Sequence, residues 1–500
     1  PTCNTENFQG AISLNDTPLV NAPALGPDTS FHLRYFNRGN TTPPVGNYAN
    51  VGPIWTHNWS GFVVDNPQAL GQQVSLFTRY GVNQPLGAYN PGNGSFGIDK
   101  NTGSELVLVS ASPIRYERRL SDGGVEIYSQ SSGAAAYPRL VQLSQVLDPF
   151  GNAVTLSYDA QNRIDKLIDA AGRSTTFSYG ATTSAYLITQ VQDPTGRKAL
   201  LTYDAQGRLA SITDVLGLKT SFSYYDTGSD LQSMTTPYGT TKWEQGQADS
   251  HWWVITTDPM GYQERNEYLH GAPGIPFSEN QAPAGVNSFN AYINYRNSYY
   301  WSKAVMQSMG GAIDYSKAHI RHLQHAGDGT VSNVMESEKW PLESRIWYYY
   351  PGEVTPTVSV GEKRPSMIAR IMPDGSTQFR QKTYTANYQL ASETDPLGRV
   401  TNYQYAANGV DLITLSQGSG GNAVVLGKWT YNDKHLPLTY IDAAGQTTNY
   451  TYTAQGKLAS VQNALNQTTT LAYDNLGQLI SIKNPDGSTA HAFTYDAAGR

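Results

Sequence analysis

Cysteine is nearly absent: Cys3 is the only one in 500 residues, so no intrachain disulfide and no thiolate metal site can form. Charge is sparse as well. Asp, Glu, Lys and Arg make up 15% of the chain, the net charge is −6, and no Lys/Arg cluster forms, which argues against nucleic-acid binding. No stretch is apolar enough to span a bilayer. Gly418-Ser419-Gly420-Gly421 lacks the strand-to-helix context of a phosphate loop, and no Ser/His/Asp order stands out. The sequence therefore names no catalytic residue, no metal site and no cofactor, and reads as a non-enzyme.

What is abundant is tyrosine, 34 copies, with Asn, Thr, Ser and Gly around it. That is a polar, aromatic β composition rather than a disordered one. Asp442, Asn463 and Asn484 mark three starts of one 21-residue unit, and the pairs Asp148/Asp169 and Asp193/Asp214 keep the same spacing. Self-similarity at a fixed period signals a repeat architecture. Each unit holds apolar pairs two residues apart, such as Leu201 and Tyr203, Phe222 and Tyr224, Tyr450 and Tyr452, or Leu471 and Tyr473. Alternation puts each pair on one strand face and Thr202, Ser223, Thr451 and Ala472 on the other.

The turns have their own chemistry. In Tyr203-Asp204-Ala205-Gln206-Gly207-Arg208, Asp204 can bond amides of its own turn and Gly207 can take positive φ. Each unit thus reads as two short antiparallel strands that cannot bury an aromatic face alone, so stacked units should form one continuous coiling sheet. Leu209 and Ile212, three apart, can both face inward only if a bulge intervenes. The Asp-Pro-x-Gly copies starting at Asp148, Asp193, Asp258 and Asp395 each open a repeat turn and are assigned structure only.

Tyr203-Asp204-Ala205-Gln206-Gly207-Arg208-Leu209 and Tyr495-Asp496-Ala497-Ala498-Gly499-Arg500 resemble the signature of the YD-repeat, or Rhs, family, over residues 148–225 and 371–500. Trp55-Thr56-His57-Asn58-Trp59 and Tyr116-Glu117-Arg118-Arg119-Leu120 resemble the lead-in that often precedes such repeats. The resemblance implies an exported bacterial protein, secreted or on the cell surface. It further implies a hairpin shell that encloses a C-terminal effector or toxin segment of the same longer chain. The stop at Arg500 inside a turn reads as the end of a fragment.

The expected fold is mainly β: a coiling sheet of stacked YD-repeat hairpins forming a shell or barrel wall, with an N-terminal β cap and a small, partly helical insertion. The expected divisions are a cap or lead-in at 1–147, containing Trp55 and Trp59 as core, a first repeat block at 148–225, degenerate repeats with a loop and helical insertion at 226–370, and a second repeat block at 371–500. Residues 271–287 read as loop and 299–326 as the one helical segment, broken at Gly310-Gly311.

Two constellations and one aromatic group are candidate sites. His319, His322 and His325 have Asp314 and Asp328 nearby; on a helix the first two would share a side and the third drift by about a fifth of a turn, offering imidazoles to Zn²⁺ or Cu²⁺, or else simply stacking on a partly exposed helix. Glu336, Glu338 and Glu343 invite a glycosidase reading, which needs two acids facing across a cleft, while Lys339 and Arg345 offer them ordinary ion pairs. Tyr299, Tyr300, Trp301, Trp347, Tyr348 and Tyr349 are the residues for the alternative function, a module that grips cell-surface carbohydrate or assembles with itself. Their exposure is the discriminator.

Overall fold

The computed structural model describes residues 2–4, 10–38, 47–79, 81–180, 183–249, 251–271, 282–283, 285–286, 293–326, 330–353 and 358–496. Its architecture is mainly β with one short α-helix, Lys303–Met309. From Ser95–Ile98 to Thr489–Ala492 every strand pairs antiparallel with the next, so the sheet runs on as one ribbon. At its N-terminal end Phe62–Asp65 pairs back onto Arg139–Leu147 and closes the sheet there.

The bulge that the sequence demands is present. Tyr203 pairs with Leu209 while Thr202 pairs with Ser211, so one extra residue stands on the second strand and both Leu209 and Ile212 turn inward, 0% and 1% exposed. The same slip recurs before Tyr158, Tyr179, Tyr224, Tyr405, Tyr452 and Tyr473.

That slip gives the repeated tyrosine its job. Its hydroxyl donates to a backbone carbonyl 15 residues back, in the preceding hairpin: Tyr203 to Ile188 at 2.6 Å, Tyr224 to Leu209 at 2.8 Å, Tyr452 to Pro437 at 2.8 Å and Tyr473 to Leu458 at 2.9 Å. Each of these hairpins is stapled to its predecessor. The turns behave as their residues require: Asp204 Oδ1 accepts from the amides of Gln206 and Arg208, Oδ2 accepts from Arg208 Nε at 2.7 Å, and Gly207 takes φ +76°.

A separate four-stranded sheet, Thr2–Asn4, Ser13–Leu19, Phe31–Phe36 and Trp55–His57, lies against one face of the ribbon. Phe31 meets Phe177 and Trp55 meets Phe222 with ring centres 6.0 and 5.0 Å apart, and Trp55 Nε1 donates to Tyr224 Oη at 3.0 Å. One core runs from Ile12 to Val254, with Trp55 and Trp59 inside it. We call the face covered by this lining the inner face.

Residues 299–326 differ from the helix expected of them. Tyr295–Trp301 is a strand, the helix ends at Gly310 in the left-handed region (φ +64°), and His319–His325 is a strand held between Tyr295–Trp301 and Val331–Lys339. Pairing on both sides overrides the local three-residue rhythm. Most of the loop expected at 271–287 lies outside the described residues.

Candidate functional site

Strand geometry redistributes the histidines. Alternation sends His319 and His322 to opposite faces, so the three imidazoles do not converge, and among the described residues no group of three or more His, Cys, Asp or Glu could hold a metal ion. Asp328 lies outside the described residues. The two histidines instead find the glutamates across the strand pair. His319 Nε2 bonds Glu338 Oε2 at 3.0 Å and its ring stacks on Trp340, centres 3.6 Å apart. The bond from His319, helped by Tyr348, holds Glu338 below the usual carboxylate range.

His322 and Glu336 form the second pair, on the other face, Nε2 and Oε2 being 3.0 Å apart but not aligned as a hydrogen bond. Glu336 is the extra residue of a bulge, because His322 pairs with Ser337 and Leu323 with Met335. Burial, with the Arg296 and Arg345 guanidiniums beside it, lowers the His322 pKa to about 3, while burial raises that of Glu336. The pair is 0% and 1% exposed, which leaves no opening for a sugar chain. Glu343 lies away from both pairs and meets Arg370 at 3.4 Å.

The aromatic candidates divide by face. Tyr299, Trp301 and Trp347 are buried in a core with Val305, Met306 and Met309 of the helix and with Tyr315. Tyr300, Tyr348 and Tyr349 are half-buried; Tyr300 Oη donates to Glu264 at 2.8 Å and Tyr348 Oη to Glu338 at 2.5 Å. A recess of about 310 Å³ nearby is lined by Ile346, Ile368, Arg370, Gln378 and Arg380, and its arginines pair with Glu343 and Glu393.

The inner face of the repeat sheet changes along the chain. Where the N-terminal lining covers it, the repeat residues are buried: Leu156 5%, Leu167 0%, Leu201 3%, Phe222 8%. Beyond residue 377 the equivalent residues Tyr403, Leu415, Tyr450, Val461, Leu471 and Ile482 are half-buried. None of these residues belongs to the core that Phe31 and Trp55 share with the first block, although Leu25 sits against Gly477 in a second-block turn. The two stretches are held edge to edge: Phe150 sits against Gly456, Gly123 against His435, and Asn152 Nδ2 donates to Gln455 O at 3.3 Å. Sequence reasoning missed these contacts, and only the glycines in the turns hint at them.

Residues 203–241, 452–489 and 473–500 match the RHS Repeat family. No curated protein matches the chain. Among solved structures the chain is similar to the Photorhabdus luminescens Tc holotoxin pore with a mutated TccC3, at 13% identity and TM-score 0.41, covering 76% of this chain and 22% of that one. It is also similar to TcdB2–TccC3–Cdc42 and to TcdB2–TccC3 without its hypervariable C-terminal region, each at 13% identity and TM-score 0.43, covering 94% of this chain and 24% of the other. The chain thus spans about a quarter of the length of these structures.

Proposed function

Because residues 203–241, 452–489 and 473–500 match RHS repeats, we propose that the chain is a wall segment of an exported bacterial shell whose inner face at residues 377–492 encloses an effector segment of the same longer polypeptide. The observation that carries this reading is the contrast between two copies of one repeat. Leu201 and Leu471 hold the same place before the repeat tyrosine, yet one is buried by the lining and the other is half-buried. A strand face of Tyr, Leu, Val and Ile left open in this way is the surface on which an enclosed polypeptide would rest. The wall residues supply containment and no chemistry, so any catalytic activity belongs to the enclosed segment.

The reading as a carbohydrate-gripping or adhesive module draws less support, because Tyr299, Trp301 and Trp347 are core and expose no ring face. The test is intact-mass spectrometry with limited proteolysis of the protein as its source makes it. The proposal expects a longer polypeptide whose C-terminal part resists protease until denaturant opens the wall. A C-terminal part digested as fast in the intact particle as in denaturant, or no such part, would refute it.

A further inference from the structure

One copy of the repeat breaks the apolar stripe of the inner face. The residue two places before the repeat tyrosine pairs across its hairpin with a residue of the next strand, and elsewhere in the two blocks both are apolar or aromatic, as in Leu156 with Leu167, Leu201 with Ile212 and Leu471 with Ile482. In the hairpin of Thr377–Tyr384 with Leu390–Thr394 the same two places hold Lys382 and Glu393. That hairpin is otherwise a regular copy: the bulge falls before Tyr384, whose hydroxyl donates to Pro365 O at 2.9 Å. Charged groups where other copies place leucine or isoleucine lose hydration and bury less apolar surface, so the wall alone gains nothing from them. Nor do the two neutralise each other, because Glu393 Oε1 accepts from Arg380 Nη1 at 2.9 Å, two residues along the strand from Lys382.

This break adjoins the recess of about 310 Å³. Register places Ile346, Arg370 and Gln378 in one row across three strands and Ile368 with Arg380 in the next, so apolar and guanidinium side chains alternate on the inner face, and Pro396 closes one side. Arg370 Nε donates to Gln378 Oε1 at 2.8 Å, while its Nη1 meets Glu343 only at 3.4 Å, with the two side chains 30% and 53% exposed. An ion pair so open to water is weakly held. Asp395, next to Pro396, is taken up by Arg399 at 2.7 Å. Around the recess three cations, Arg370, Arg380 and Lys382, therefore meet two carboxylates, Glu343 and Glu393. The local excess is one positive charge, in a chain whose net charge is −6.

We propose that this recess is a carboxylate-binding site of the wall and that its occupant is an acidic side chain of the enclosed segment. The carboxylate lies between the Arg370 and Arg380 guanidiniums, whose planar N–H donors match its two oxygens, and its carbon stem rests on Ile346 and Ile368. Lys382 supplies the balancing charge beside it. The inference rests on the shell reading and deepens it. The apolar stripe receives a segment without regard to its sequence, whereas the recess fixes one acidic point of that segment against the wall.

Zero-length cross-linking reads that contact. A water-soluble carbodiimide activates a carboxylate, Lys382 Nζ attacks it to form an amide, and the carbodiimide leaves as its urea, so only a carboxylate touching Lys382 is captured. The polypeptide as its source makes it would be treated intact, then denatured, digested and read by peptide mass spectrometry. The expected result is a link from Lys382 to an aspartate or glutamate beyond Arg500. Its yield should fall about tenfold in Arg370→Gln, the effect of one lost charge-assisted hydrogen bond. Lys382 linked only to carboxylates within residues 1–500, or to nothing, overturns the inference. So does an unchanged yield in Arg370→Gln, since the carboxylate is then drawn to Lys382 without the recess. A polypeptide with no protease-resistant C-terminal part refutes the shell reading, and this inference with it, before any link is read; a resistant part that lacks the Lys382 link sinks this inference alone.

Discussion

Residues 148–225 and 377–492 are built from one repeat, with the same Asp-fixed turns, the same bulge and the same tyrosine staple, yet only the first has a dry inner face. The difference comes from outside the repeat. Phe31, Tyr35 and Trp55 share one core with the first block, and no second-block residue belongs to that core. Backbone pairing and turn chemistry make the ribbon; what lies against it decides how much apolar surface leaves water.

Truncating matched residues gives the largest expected effect. Leu201→Ala should cost about 2–5 kcal/mol, whereas Leu471→Ala, half in water already, should cost about 1 kcal/mol in urea unfolding. Equal costs would break the comparison. Next is the contact between the two stretches. Gly456→Ala meets both strain at φ +81° and the Phe150 ring, whereas Gly445→Ala at φ +80° meets open space. The first should lose roughly 1–3 kcal/mol more than the second, which carries backbone strain alone. Tyr203→Phe strands a buried carbonyl and should cost about 1–3 kcal/mol, against roughly 0.5–1.5 kcal/mol for Tyr452→Phe in the open block, both read by thermal unfolding.

The smallest effect at neutral pH belongs to His57, buried in the lining with Nε2 on Ala49 O at 3.0 Å. Burial lowers its pKa to about 4. A histidine kept neutral in the fold binds its proton more readily when unfolded, so its contribution is whole above the unfolded value of about 6.5 and is lost as pH falls from there toward 4. The first block should therefore weaken over that window, and His57→Gln should flatten this part of the profile in pH-dependent unfolding.

Much of this was legible in the sequence, for local reasons. The 21-residue period, the paired apolar positions and the Asp and Gly of each turn act within one hairpin, and Leu209 with Ile212 announced the bulge. The middle of the chain was less readable. His319, His322 and His325 have a helical rhythm, but the neighbouring strands that pair with them decide otherwise, and Glu336 reaches His322 only because a bulge turns it. The lining was hidden too. Phe31 and Phe177, or Trp55 and Tyr224, are brought together by coiling, which no local pattern records.

The most direct measurement is native-state hydrogen exchange on residues 1–500, comparing strand amides of Lys198–Tyr203 and Lys219–Tyr224 with those of Thr447–Tyr452 and Thr468–Tyr473. If the lining sets stability, the first pair should exchange only through global opening and the second pair markedly faster, through local opening of an uncovered sheet. Equal protection in the two blocks would mean that the repeat alone sets stability and that the open inner face needs no occupant.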